Sequence, residues 1–341
     1  MKKLIVLISC LFMLSSTQTL ANDIDVQATM FSRSNAQDRV WVSTFQLVWN
    51  DFIDKILFNP VRFRDGNPQI VNDLNRKTFT TDDISDESYY KFVGKVKKNT
   101  KKQIKKAIQK KFKESSDILE KLDLNPRNDM YLIYAMLKKD FEFAKAFDKL
   151  GVSKFNNNID AEFFGINKDS DKQLGEGVKI LFYNNKNDYA VKLSTTGKDE
   201  VYLYKNPSNK PFNYIYNDML KKEKLYKGNI SFGKIDELKV PNISFSEEKS
   251  FDELTNKRIM GTNLLISQAI ETVKFDMNNK GAKLKSEAAM TIMTTALRPE
   301  ENVSPKLFYF DSTFNIFLKE KNKKSPYFAL RVNDIRKFQK N

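Results

Sequence analysis

Apolar and polar residues alternate through much of the C-terminal half of the chain, the period of strands that bury one face. Residues 178–183, 189–193 and 201–204 carry this pattern. The last two flank Thr196-Gly197-Lys198-Asp199, a hairpin-turn composition. Residues 212–225 read as a short helix. Residues 130–137 form an unbroken apolar run instead, which predicts a strand buried on both faces. The N-terminal third is patterned differently, and residues 22–130 read as mainly helical. After a short strand-like stretch at 40–43, Phe45, Leu47, Val48, Phe52 and Ile53 mark an amphipathic helix. Residues 61–85 are polar and turn-rich, broken at Asp65-Gly66-Asn67-Pro68. Ile104, Ala107, Ile108 and Phe112 make an apolar stripe at helical spacing.

One stretch is ambiguous in an informative way. Lys274-Phe275-Asp276-Met277 alternates as a strand and meets a turn signal at Asn278-Asn279-Lys280-Gly281. A second alternating run then sets Ala282, Leu284, Ser286, Ala288, Met290 and Ile292 on one face, with Lys283, Lys285, Glu287 and Thr291 on the other. It has no Val and little β-branching, so its own strand propensity is weak. Such a run forms a strand when paired and a loop when not.

These residues resemble the serpin superfamily, as a divergent member of bacterial type. The strand and turn at 275–281 look like the family's strand-then-hinge, and Glu287-Ala288-Ala289-Met290-Thr291 resembles its small-residue run. Residues 310–314 and 325–332 are similar to its two C-terminal strands, 130–137 to its central strand, and 143–148 to the Trp-x-x-x-Phe-Asp segment that follows. Residues 191–207 and 238–245 resemble further strands in family order, with the next helix starting at 251–254. Residues 104–119 with Asp123-Leu124-Asn125-Pro126 resemble the family's helix before its central sheet and the exit turn. The resemblance covers about 100–335 well and 40–100 poorly. It implies an α+β fold, with N-terminal helices packed on mixed β-sheets and an exposed reactive-centre-type loop at about 282–303.

The activity implied is suicide inhibition of a protease: the loop is cleaved, and its freed arm inserts into a sheet as a new strand. Gly281, Ala282, Leu284, Ser286 and Ala288 are then the hinge, and family spacing puts the scissile bond at Thr295-Ala296. Three departures bear on this. Tyr134 stands where Asn is usual and Phe143 where Trp is usual, both taken to lie where the loop enters the sheet. Lys283, Leu284 and Lys285 interrupt the small-residue hinge and make insertion slower. The alternative is therefore a non-inhibitory binding or interaction protein that keeps the fold. Thr294, Thr295 and Ala296 suit a serine protease of elastase type, and Leu297 one of chymotrypsin type. Arg298 is a poor trypsin-like bait because Pro299 follows it.

Composition narrows the chemistry further. Lys2 and Lys3, the apolar run 4–14 and Thr19-Leu20-Ala21 read as an export signal cleaved after Ala21, which predicts a secreted or periplasmic protein. Leu7-Ile8-Ser9-Cys10 also fits a lipoprotein box, the less favoured reading. Cys10 is the only cysteine, and the chain has no histidine. That removes Ser-His and Cys-His nucleophiles, disulfides and most zinc sites, and no phosphate loop or metal-ligand spacing is present. A non-enzyme without cofactor or metal is expected. Residues 22–341 contain no linker composition, so one domain acting as a monomer follows. The net charge is +15, and 95–113 alone holds ten lysines. Lys105, Lys106, Lys110 and Lys111 on the exposed arc of that helix form a candidate polyanion site, against the plainer reading of a solvated surface.

Overall fold

The computed structural model describes residues 24–116, 118–122, 124, 131–282 and 305–339. The export signal with Cys10 lies outside the described residues. Strands dominate an α+β arrangement. A seven-stranded mixed sheet runs in the order β1 (Asp25–Gln27), β2 (Arg39–Val42), β17 (Phe328–Val332), β16 (Phe314–Glu320), β10 (Asp199–Lys205), β9 (Asp188–Ser194) and β8 (Val178–Asn185). Only β1 and β2 pair in parallel within it. β16 and β17 are buried along nearly their whole length, as central strands covered on both faces are.

A second sheet runs β15 (Leu307–Tyr309), β11 (Glu237–Pro241), β7 (Ile159–Ile166) and β6 (Asp148–Phe155). It packs on the first through an aromatic core. Tyr189 of β9 meets Phe308 and Phe310 edge-on at 5.3 Å, the T-shaped geometry that aromatic quadrupoles favour. Three short ladders complete the strands: β3 (Tyr89–Lys95) with β4 (Tyr131–Leu137), β5 (Phe141–Glu142) with β14 (Gly281–Ala282), and β12 (Ile243–Ser250) with β13 (Ile270–Met277).

The helices are α1 (Thr44–Phe52), α2 (Gln69–Leu74), α3 (Thr100–Phe112) and α4 (Phe212–Leu225). α1 is buried on most sides: Phe45, Trp49 and Phe52 pack with Phe251, Leu254 and Ile259, and Gln46 and Asn50 bond each other inside. α3 sets Ile104, Ile108 and Phe112 against Leu132 and Tyr134 of β4. No helix among the described residues is long and apolar enough to cross a membrane.

Four expectations are corrected. The N-terminal third is less helical than its pattern, because Tyr89-Tyr90-Lys91-Phe92-Val93, rich in β-formers, pairs with β4. The helix expected over 104–119 stops at Phe112, where Lys113 turns left-handed at φ 58. The strand expected at 238–245 is two strands in different sheets, parted at Asn242, whose N–H donates to Glu162 O at 2.8 Å. Only a 3₁₀ turn forms at Asp252–Leu254.

The β7–β11 contact depends on Gly165, at φ +153, where an added Cβ would lie 1.8 Å from Leu238 O. Gly165→Ala should therefore cost roughly 3 kcal/mol or more in chemical denaturation, the range of a backbone clash in a packed sheet. Gly197→Ala, with nothing within 4 Å of its Cβ, should stay near the unsubstituted midpoint.

Candidate functional site

β3 covers one edge of β4 residue by residue, from Tyr89 opposite Leu137 to Lys95 opposite Tyr131. β12 does the same for β13, from Ile243 opposite Met277 to Ser250 opposite Ile270. The remaining edge of each has no strand partner among the described residues. Between those two edges lies a cleft of about 1180 Å³, floored by Thr44, Phe45, Val48, Trp49 and Phe52 of α1.

Strand alternation decides what lines it. β13 turns Glu271, Val273, Phe275 and Met277 inward to burial, and Thr272, Lys274 and Asp276 outward. On β4, Leu132 and Tyr134 pack under α3, while Ile133 packs towards the α1 cluster. The expectation of a strand buried on both faces is overturned here. Only Leu132 and Tyr134 are buried, because the cleft leaves Ile133, Ala135, Met136 and Leu137 half open. An apolar run of this kind on an unpaired edge is what a missing neighbour strand would cover.

One end of the cleft is closed by the turn at 278–281. Asn278 and Gly281 exchange backbone bonds at 2.9 and 3.1 Å. Lys280 O accepts from Phe143 N at 2.9 Å, and Asn279 O from Phe147 N at 2.9 Å. Gly281, at φ +138, then lies so close to β5 that a Cβ would sit 2.3 Å from Phe141 O. Only glycine fits there. β14 pairs Gly281 with Glu142 and Ala282 with Phe141, antiparallel, at the end of the gap between β4 and β13. Of the expected hinge, Gly281 and Ala282 thus meet at the mouth. Leu284, Ser286, Ala288, Thr295 and Ala296 lie outside the described residues.

Phe143 does lie at the mouth, buried edge-on against Phe141 and Phe147 with ring centroids 6.4 and 5.0 Å away. Tyr134 does not. It sits in mid-strand on the α3 face, its hydroxyl 3.1 Å from Ser116 Oγ.

Two buried charged groups that pattern reading passes over hold the frame. At the mouth, Lys139 follows β4 inward and ion-pairs with Glu320 of β16 and, at 3.0 Å, with Asp199 of β10. Burial alone would raise the Glu320 carboxyl, but Lys139 and the Ser85 donors hold it below its ordinary value. At the far end, Glu271 is 3% exposed. One oxygen accepts from Thr44 Oγ1 at 2.5 Å and Phe45 N at 3.3 Å, the other has no partner, and burial pushes the carboxyl up to about 8. The signal for Glu271 was present: a lone carboxylate at a buried parity of an alternating strand.

The lysine helix is a surface feature. Its apolar stripe is buried as expected, and Lys105, Lys106, Lys110 and Lys111 are all exposed. They are not equivalent. Lys105 ion-pairs with Glu120, and Lys111 donates to Asp86 O and Tyr89 O, whereas Lys106 and Lys110 make no ion pair among the described residues.

No family model matches the chain, and no curated protein matches it. Solved structures do, and those it is similar to are serpins. Thyroxine-binding globulin in complex with thyroxine is 15% identical over 68% of this chain and 63% of its own, at a TM-score of 0.43. Serpin48, a highly specific serpin of the insect Tenebrio molitor, is 14% identical over 87% and 92%, at 0.44. Human glycosylated kallistatin is 14% identical over 69% and 64%, at 0.42. The chain thus spans less than two thirds of the thyroxine-binding globulin and kallistatin chains.

Proposed function

We propose that the chain is a secreted, single-domain, serpin-like protease inhibitor, whose segment after Ala282 is bait and whose β4–β13 cleft receives the cut arm. One observation supports this most: β14 is already paired at the mouth of a cleft whose two edges have no strand partner among the described residues. Continuing the β14–β5 register would set Ser286 opposite Leu137, Ala288 opposite Ala135 and Met290 opposite Ile133. Continuing the turn pair Asn278–Gly281 would set Leu284 opposite Phe275, Ser286 opposite Val273 and Ala288 opposite Glu271. Both continuations turn the same face inward, the Ala282, Leu284, Ser286, Ala288 face. Strand addition of this kind gains ladder hydrogen bonds and buries alternate side chains.

In the covalent step, the protease serine oxygen attacks the Thr295 carbonyl carbon and the Thr295–Ala296 C–N bond breaks. The Ala296 nitrogen leaves as an amine with the proton, and Thr295 stays as an ester on the enzyme. Insertion must then draw the ester away before water hydrolyses it. The non-inhibitory reading has one observation on its side. The same registers would put Lys285 outward between Lys138 and Lys274, and like charges directly opposite cost about 0.2–1 kcal/mol each.

Incubation with an elastase-like serine protease should give a denaturant-resistant 1:1 adduct and release a peptide beginning at Ala296. Lys285→Glu should raise the fraction of chain ending as adduct rather than as cut product. Turnover without adduct, by elastase-like and chymotrypsin-like enzymes alike and by the variant too, would reject inhibition and leave the binding role.

The helix α3 lysines are a separate proposal, a polyanion site. Lys106→Gln with Lys110→Gln should lower the salt concentration of elution from heparin more than Lys105→Gln with Lys111→Gln, because the latter ammonium groups are already engaged. Equal elution of both variants and the unsubstituted chain would leave a plain solvated surface.

A further inference from the structure

We infer that Glu271 is a proton-controlled latch on the cleft: its neutral carboxyl holds the start of β13 against α1, and its ionisation loosens β13 and widens the gap to β4. This goes beyond the inhibitory reading and does not need any loop to be cut.

The geometry is that of a clasp. The carboxyl reaches from β13 to the first turn of α1, taking the Thr44 hydroxyl and the Phe45 N–H on one oxygen and leaving the other without a hydrogen-bond partner. It lines the cleft beside Phe45 and Val273, so separation of the strands is its direct route to water. No cation pairs with it among the described residues. From α1 it faces only the neutral Thr44 and the Phe45 backbone. From β12 it faces Lys249, directly opposite, whose ammonium lies 3.9 Å from Asp25 of β1 instead. On β13 itself, Lys274 and Asp276 belong to the outer face. The cleft's other charges, Glu114, Lys138, Lys139 and Asp140, gather around the end of β4 next to the mouth, at the other end of the cleft from Glu271.

The helix N-terminus favours an anion at this place, but complete burial outweighs it, and the carboxyl titrates at about 8 rather than the ordinary 4.5. Once the cleft opens and water enters, the value falls back toward ordinary. The closed form therefore holds its proton the more tightly. Its advantage over the open form is complete below the ordinary carboxyl range and is lost as pH rises toward 8. It stays constant above, where both forms are ionised. The open population rises by up to about tenfold per pH unit within that window.

Trp49 lies on the cleft floor, and the chain has two tryptophans, so Trp41→Phe leaves a single reporter. Acrylamide quenching of Trp49 in the full mature chain should grow severalfold from pH 5 to 8 and level off above, with unchanged far-ultraviolet circular dichroism. In Glu271→Gln it should stay low and flat. A rise of the same size and midpoint in Glu271→Gln, or no rise in the parent, would overturn the inference. Thr44→Val gives the second arm should Glu271→Gln not fold. It removes a donor to the ionised carboxylate, so the rise should shift to higher pH, and an unshifted rise would also count against the latch.

Discussion

Two strand edges that have no strand partner among the described residues, resting on one buried helix, are the constraint around which the molecule is built. Backbone N–H and C=O groups on an unpaired edge must be met by water or by another strand, and an apolar edge strand is a liability that proteins normally cover. Here both edges face one gap, and at its mouth a single backbone already fills it. Gly281 makes that possible: its missing side chain lets the chain lie on Phe141 and Glu142. The rest of the fold holds the two edges in place. Lys139 fastens the end of β4 to β16 and β10, and Glu271 fastens the start of β13 to α1. The aromatic core between the two larger sheets supplies a rigid frame.

Much of this frame was legible in the amino-acid pattern. Alternation located β8, β9, β10 and β13, and the Asn278-to-Gly281 turn was read before its φ was known. The apolar run at 130–137 was correctly a strand and wrongly a fully buried one. Composition reports how apolar a strand is, and not whether its neighbour is in place. β3 was missed because a β-rich heptad lay inside a region read as helical from its flanks. The break at Asn242 had a signal, a change of phase: Leu238 and Val240 are the apolar positions before it, Ile243 and Phe245 those after it. Lys139 and Glu271 were passed over for a related reason: a single charge inside an apolar stretch reads as noise until its partners, far away in sequence, are known.

Charge placement makes the cleft more than a gap. At one end, the outward row that a fifth strand would join already holds Lys274 and Lys138, the latter ion-paired with Glu114 and Asp140, so an incoming lysine would meet only partly compensated repulsion. At the other, a carboxyl without a counter-ion among the described residues sits where that strand would end. Both features resist filling, and both are electrostatic, so they respond to substitution and pH without alteration of the apolar groove beneath them.

The central claim is that the cleft is an unfilled strand site, and thermal denaturation before and after one cut in the segment following Ala282 tests it most directly. With both fragments retained, a filled cleft should raise the melting temperature by about 10 °C or more, since each kcal/mol gained moves a domain of this size by a few degrees. An unchanged or lowered melting temperature would mean that β4 and β13 do not accept the cut arm, and would contradict the account.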